Sequence, residues 1–163
     1  MKTTSCPLQK AALLLALMLL ALSLSSCQAL GNPVIGSLGT YVQREFYSEG
    51  SFQDFTDYGK YYFTTVRVDA NPYFTQIQAS DLAVINEHLD DFESWIELFR
   101  SNDASRKIVQ NYDFDRRIID TEDYIYIDSK AHTWSDGHTS LTSYNLYILD
   151  SQTLVLYYFH NNI

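Results

Sequence analysis

Between Ser80 and Asp103 the chain alternates apolar and polar residues with the period of a helix. Leu82, Ile85, Leu89, Phe92, Ile96 and Phe99 recur at spacings of three and four and draw one apolar stripe. Glu87, Asp90, Asp91, Ser94 and Glu97 fall on the opposite side. Ser80 stands where it would cap a helix beginning at Asp81, and Ser101, Asn102 and Asp103 bring it to an end. The pattern predicts an amphipathic helix with a single buried face.

The rest of the chain changes to the period of strands. Lys60 to Val68, KYYFTTVRV, is dense in aromatic and β-branched residues and runs into the turn signal of Asp69, Ala70, Asn71 and Pro72, which predicts a strand. Ile118 and Ile119 precede a polar turn at Asp120 to Asp123. The segment DYIYID then alternates, Asp136 with Gly137 favours a tight hairpin, and SYNLYILD alternates again. Asp150 to Thr153 make a further turn before LVLYYFH. Residues 112–160 therefore read as a four-stranded antiparallel meander.

Residues 41–59 hold Tyr41, Phe46, Tyr47, Phe52, Phe55 and Tyr58, too many aromatics for a solvated spacer, and are expected to dock on the domain. One strand, one long helix and a meander make an α+β domain, a helix packed on a four- to five-stranded antiparallel sheet in the order β-α-β-β-β-β. This order is similar to that of the cystatin-like superfold, in which an antiparallel sheet wraps a helix. The resemblance is one of topology. The Gln-x-Val-x-Gly hairpin of the protease-inhibiting cystatins has no counterpart in this sequence, so inhibition is not implied.

The N-terminus follows a third pattern. Lys2 and Lys10 precede an unbroken apolar run from Ala11 to Leu22, and small polar residues lead to Cys27, as in a secretory signal. The run is well short of the roughly 20 residues that a membrane-spanning helix needs. Leu24, Ser25, Ser26 and Cys27 resemble the lipobox of bacterial lipoproteins. That resemblance covers only the first 27 residues and implies diacylglyceryl attachment at the Cys27 thiol, with cleavage just before it. At roughly 0.8 kcal/mol per buried methylene, two or three acyl chains anchor a protein stably. The expected organisation is a signal peptide over 1–26, a lipidated Cys27 with a flexible Gly- and Pro-containing tether over 27–40, and one domain over 41–163. Gln28 is not the Asp that marks inner-membrane retention in two-membrane bacteria. The expected location is extracytoplasmic and lipid-anchored.

Composition narrows the functions open to such a domain. Loss of residues 1–26 removes two lysines and no acid, which leaves nine Lys and Arg against 20 Asp and Glu, a formal charge of −11. Such a surface repels phosphate backbones and anionic headgroups, so neither nucleic acid nor a polybasic membrane contact is expected. Cys6 leaves with the signal and Cys27 carries the lipid, so the domain has no disulfide and is stabilised by packing. All 24 aromatic residues fall in the mature chain and are enough to build a core.

The candidate chemistry is sparse. His132, Asp136 and His138 crowd one hairpin, but Asp136 already serves the turn and no fourth ligand is evident, so no metal is expected. Asp113 and Asp115 begin like a calcium loop, yet Arg117 takes the third ligand position and no Gly follows. Glu87, Asp90, Asp91, Glu93 and Glu97 could offer the two carboxylates of a hydrolase, but they read as a solvated helix face. There is no nucleophile elbow, HExxH or phosphate loop, and no cofactor is expected. The remaining signal is the tyrosine excess of the strands. Tyr124, Tyr126, Tyr144 and Tyr147 are the candidate binding surface, since exposed Tyr suits saccharide, peptide or envelope-protein contact. The expectation is a membrane-tethered, non-catalytic binding module, with a carboxylate-based envelope hydrolase as the alternative.

Overall fold

A computed structural model describes residues 31–50, 54–133, 135 and 139–162. Its contacts divide the chain into residues 1–37 and 38–163. The signal segment, Cys27 and the start of the tether lie outside the described residues. Within the stretch read as tether, Pro33–Leu38 form a short helix, α1. Asn32 explains it: its Oδ1 accepts from the amides of Val34 at 3.0 Å and Ile35 at 3.4 Å. Pro33 occupies the first helical position, where a missing N–H costs nothing.

Residues 38–163 carry a six-stranded antiparallel sheet and one long helix, so the α+β class read from the sequence is the architecture of the protein. The strands are β1 (Tyr41–Gly50), β2 (Phe55–Phe63), β3 (Thr75–Gln76), β4 (Tyr124–Thr133), β5 (Thr139–Asp150) and β6 (Val155–Asn162). They lie in the order β1-β2-β6-β5-β4-β3. The aromatic segment 41–59 docks as the hairpin of β1 and β2, with Tyr47 opposite Tyr58.

Two expected strands are corrected. The strand predicted over 60–68 sits earlier, because β1 ends its pairing at Phe63 and β6 ends at Tyr62, which leaves Thr64 to Val68 without a strand to pair with. Residues 112–119 are no strand: a short helix at Lys107–Asn111 (α3) is followed by a 3-10 turn at Arg116–Ile118, where Asp115 accepts from the Arg117 amide at 3.0 Å. The meander therefore has the three strands β4, β5 and β6. The turn at Asp150 to Thr153 forms as expected, with Asp150 Oδ1 accepting from the amides of Gln152 and Thr153.

The long helix is Leu82–Asn102, α2. Ile85, Leu89, Phe92 and Ile96 of its stripe are buried in one cluster with Tyr58, Leu146, Ile148 and Phe159 of the sheet. Leu82 is 36% exposed, because the stripe overruns the sheet at its first turn. Ser80 does not cap the helix. Asp81 holds the cap position with helical dihedrals, and its carboxylate accepts from the Gln78 amide at 2.8 Å. Removing the Phe92 ring would cost about 3–5 kcal/mol, the usual loss for a large aromatic in a closed core.

Asp123, itself buried, joins the start of β4 to the next turn. Its two oxygens accept from the amides of Ser151 at 2.9 Å and Asp120 at 3.0 Å. On the helix side of β1 and β2, Lys60 lies 2.8 Å from both Glu45 and Asp113, and Tyr58 donates to Asp113 at 2.8 Å. Burial pulls the Lys60 pKa down, but the bonds to Asp113 and Glu45 outweigh it and hold the ammonium above its ordinary value.

Candidate functional site

The register of the sheet leaves one part unsupported. β6 ends its pairing with β5 at Asn162 opposite Ser143, whereas β4 and β5 continue to the pair Thr133 and Thr139. A two-stranded ribbon thus overhangs the sheet. Thr142 is its extra residue, since Lys130 faces Ser143 and Ala131 faces Leu141. The Thr142 hydroxyl bonds the Lys130 carbonyl at 3.3 Å. A bulge of this kind bends and twists its strand.

Between the ribbon and α2 lies an open groove of about 900 Å³. Its helix wall is Asp91, Ser94, Trp95 and Leu98, and its ribbon wall includes Lys130, Ala131 and His132 of β4 with Leu141 of β5. Leu98 is 46% exposed and Trp95 is half-buried, so apolar area faces the opening. Trp95 also borders a smaller depression with Phe55, Phe99 and Asn161, and so separates two hollows.

Asp91 is the fixed acceptor of this groove. Its Oδ2 receives the Tyr144 phenol at 3.0 Å and the Asn161 amide at 3.1 Å. Asn161 is oriented in turn by Thr56, whose hydroxyl donates to its Oδ1 at 3.0 Å. Tyr144 is also 3.2 Å from the His88 carbonyl, and the His88 ring stands edge-on to it at 5.0 Å. Burial, and then the charge of Asp91, push the Tyr144 phenol well above its ordinary pKa, so it remains a proton donor. Among the described residues the side-chain bonds to Asp91 all fall on Oδ2, and Oδ1 takes no part in that network. A carboxylate gripped through one oxygen keeps its orientation while the other can meet a ligand.

The four candidate tyrosines are divided by this arrangement. Tyr144 is 1% exposed and faces the helix, so it is no surface residue; it supports Asp91 from behind. Tyr124, Tyr126 and Tyr147 point to the other face of the sheet, because alternate strand residues diverge. There Tyr147 is 2% exposed, in ring contact with Phe74, Tyr126 and Tyr158. Tyr73 lies against Tyr126, so most of this aromatic area is occupied by neighbouring rings. Tyr124 and Tyr126 remain half-buried.

The other candidates separate as well. His132 reaches the groove, while Asp136 and His138 lie outside the described residues. Among the described residues no three acidic, His or Cys side chains cluster as metal ligands. Asp113 pairs with Lys60, and Asp115 is held down to about 2 by hydrogen bonds from Arg117. Asp90 and Glu93 both pair with Arg116, and with Glu97 they border a separate depression of about 370 Å³.

The sequence pattern places Asp91 on the solvated side of α2, and Trp95 and Leu98 lie outside the apolar stripe. The signal that finds them is a second stripe, His88, Asp91, Trp95 and Leu98, spaced by three, four and three beside the first. On the far face of the sheet a polar row, Ser48, Asp57, His160 and Asn145, crosses β1, β2, β6 and β5. Among the described residues no helix is long and apolar enough to cross a membrane. No protein-family model matches this chain, and neither does any curated protein or solved structure.

Proposed function

We propose that the chain is an extracytoplasmic lipoprotein, anchored through Cys27, whose domain binds a ligand in the groove between α2 and the β4–β5 ribbon without transforming it. The signal-like N-terminus and the lipobox resemblance at Leu24 to Cys27 support the location. The observation that carries the binding role is Asp91, fixed by Tyr144 and Asn161 beside the apolar surface of Trp95 and Leu98. Buried side chains hold one oxygen of Asp91 in place, and its second oxygen lies outside their hydrogen bonds. A few oriented polar groups among apolar ones are the usual composition of a ligand site.

The hydrolase alternative has less support. Carboxylate hydrolysis needs two acids across one cleft, about 5–9 Å apart. Among the described residues Asp91 is the one acid lining this groove, and Asp90, Glu93 and Glu97 border a different depression. The test is capture of cell-envelope material by the immobilised protein. Trp95→Ala should reduce the captured amount at least about tenfold, equivalent to about 1.4 kcal/mol. Equal capture by both proteins, or release of cleaved products by the unmodified one, would refute the reading.

A further inference from the structure

The groove is nearly balanced in charge, although the mature chain is strongly acidic. Asp91 lines the helix wall and Lys130 the ribbon wall, and among the described residues no other Asp, Glu, Lys or Arg lines it. An anionic ligand would have to approach through the field of a chain at −11. A cationic one would gain from that field but meet Lys130 inside the groove. Charge matching therefore favours an uncharged ligand.

The lining specifies that ligand further. Ser94 and Thr142 give their hydroxyl protons to the Asp91 and Lys130 carbonyls at 2.7 Å and 3.3 Å, so their oxygens meet a ligand as acceptors, and the fixed carboxylate of Asp91 also demands a donor. Trp95 adds a flat indole between two hollows. A ligand that meets a flat apolar ring with one face and hydroxyl partners with its edge must be apolar on its faces and rich in hydroxyls at its rim. A pyranose ring has that distribution: axial C–H groups on its faces and hydroxyls around its edge. The groove's volume of about 900 Å³ exceeds what one sugar ring fills, which suits several linked rings rather than one.

Resting on the binding role proposed above, we infer that the groove takes an uncharged oligosaccharide, with one ring stacked on Trp95 and a hydroxyl of that ring donating to Asp91 Oδ1. The Ser94 and Thr142 oxygens then accept from the neighbouring hydroxyls.

The test is titration of the full chain, purified in detergent, with cellotetraose and with chitotetraose, following tryptophan fluorescence and calorimetric heat. At least one of the two sugars should bind and shift the emission. Trp95→Ala and Asp91→Asn should each weaken that binding at least tenfold. Failure of both sugars to bind at millimolar concentration would overturn the saccharide assignment, as would equal binding of a Gly-Ser peptide of similar length. Sugar binding that survives Trp95→Ala would overturn it too. If both sugars fail while envelope capture still depends on Trp95, the groove remains the binding site and only the ligand class is wrong. If capture is independent of Trp95 as well, the binding role proposed for the groove falls with it.

Discussion

Asp57→Asn is expected to stabilise the protein at neutral pH and to leave it unchanged in acid. Asp57 is 8% exposed, and its Oδ1 is buried with no hydrogen-bond partner among the described residues. Burial raises its pKa above the ordinary value, while a bond from Ser48 and the charge of His160 offset part of that rise. A carboxyl whose folded pKa lies above its unfolded one binds its proton more tightly when folded. Its contribution to stability is then fully present below the unfolded pKa, about 3.9, and is lost as pH rises through the folded value. At pH 7.5 the ionised side chain is a net cost.

The size of that cost follows from the orphan oxygen. A buried acceptor left unsatisfied costs about 1–3 kcal/mol, more when charged, and Ser48 and His160 offset part of it. Asp57→Asn keeps the shape and removes the charge, so a gain of about 1–2 kcal/mol is expected at pH 7.5, and close to none at pH 3. For a domain of this size that is about 3–8 °C in Tm. Urea unfolding at both pH values, with the slope m held common, measures the difference. A variant less stable than the parent at pH 7.5 would show that Asp57 and His160 form a favourable ion pair. An equal gain at both pH values would place the effect in packing rather than charge.

Three further outcomes are expected. Tyr144→Phe should lower stability by about 1.5–3 kcal/mol, the worth of a hydrogen bond to a charged group, and should weaken binding in the groove; urea unfolding with the calorimetric titration checks both. Lys60→Met should cost about 1–2 kcal/mol near neutral pH, since it strands Glu45 and Asp113. Hydrogen bonding with Lys60 lowers both acid pKa values against the opposing effect of burial. The stability they contribute is present above the ordinary carboxylate range and lost as pH falls through the lowered values, so the Lys60→Met deficit should shrink below pH 4 in parallel denaturation curves. Cys27→Ser should give a folded protein that partitions to the aqueous phase in detergent extraction; its retention with the membrane fraction would refute lipidation at that residue.

The long helix was legible because burying one face on a sheet imposes a period on the sequence, and Ile85, Leu89, Phe92 and Ile96 obey it. Strand limits were not, because a strand ends where its partner ends. Nothing in Thr64 to Val68 differs locally from a strand; the neighbours that would pair with it stop short. Ile118 and Ile119 mislead for a related reason: Asp115 offers the Arg117 amide a local bond, and the backbone turns. The tyrosines were visible as a composition but not as faces. A single residue of register separates the buried Tyr144, beneath α2, from a ring on the far side of the sheet.

The groove was hidden for a stronger reason. Its walls come from Asp91 to Leu98, from Lys130 to His132 and from Ser140 to Thr142, and what opens the space is the length by which β4 and β5 outrun β6. That overhang is a relation among three strands and leaves no mark on any one of them. An unsupported two-stranded ribbon is marginal in water, and the β4 part of this one, Lys130 to Thr133, is exposed, so it contributes little to holding the domain together. Its inward contribution is Leu141, which packs at the margin of the core, and the bulge at Thr142 gives it added twist. Core residues are committed to the same place from the other side, since Tyr144 and Asn161 both hold the oxygen of Asp91 that faces them. The ribbon, which adds little to the core, and the second oxygen of Asp91, outside the hydrogen bonds that serve Tyr144 and Asn161, meet at one groove, and that is where the proposed ligand is expected.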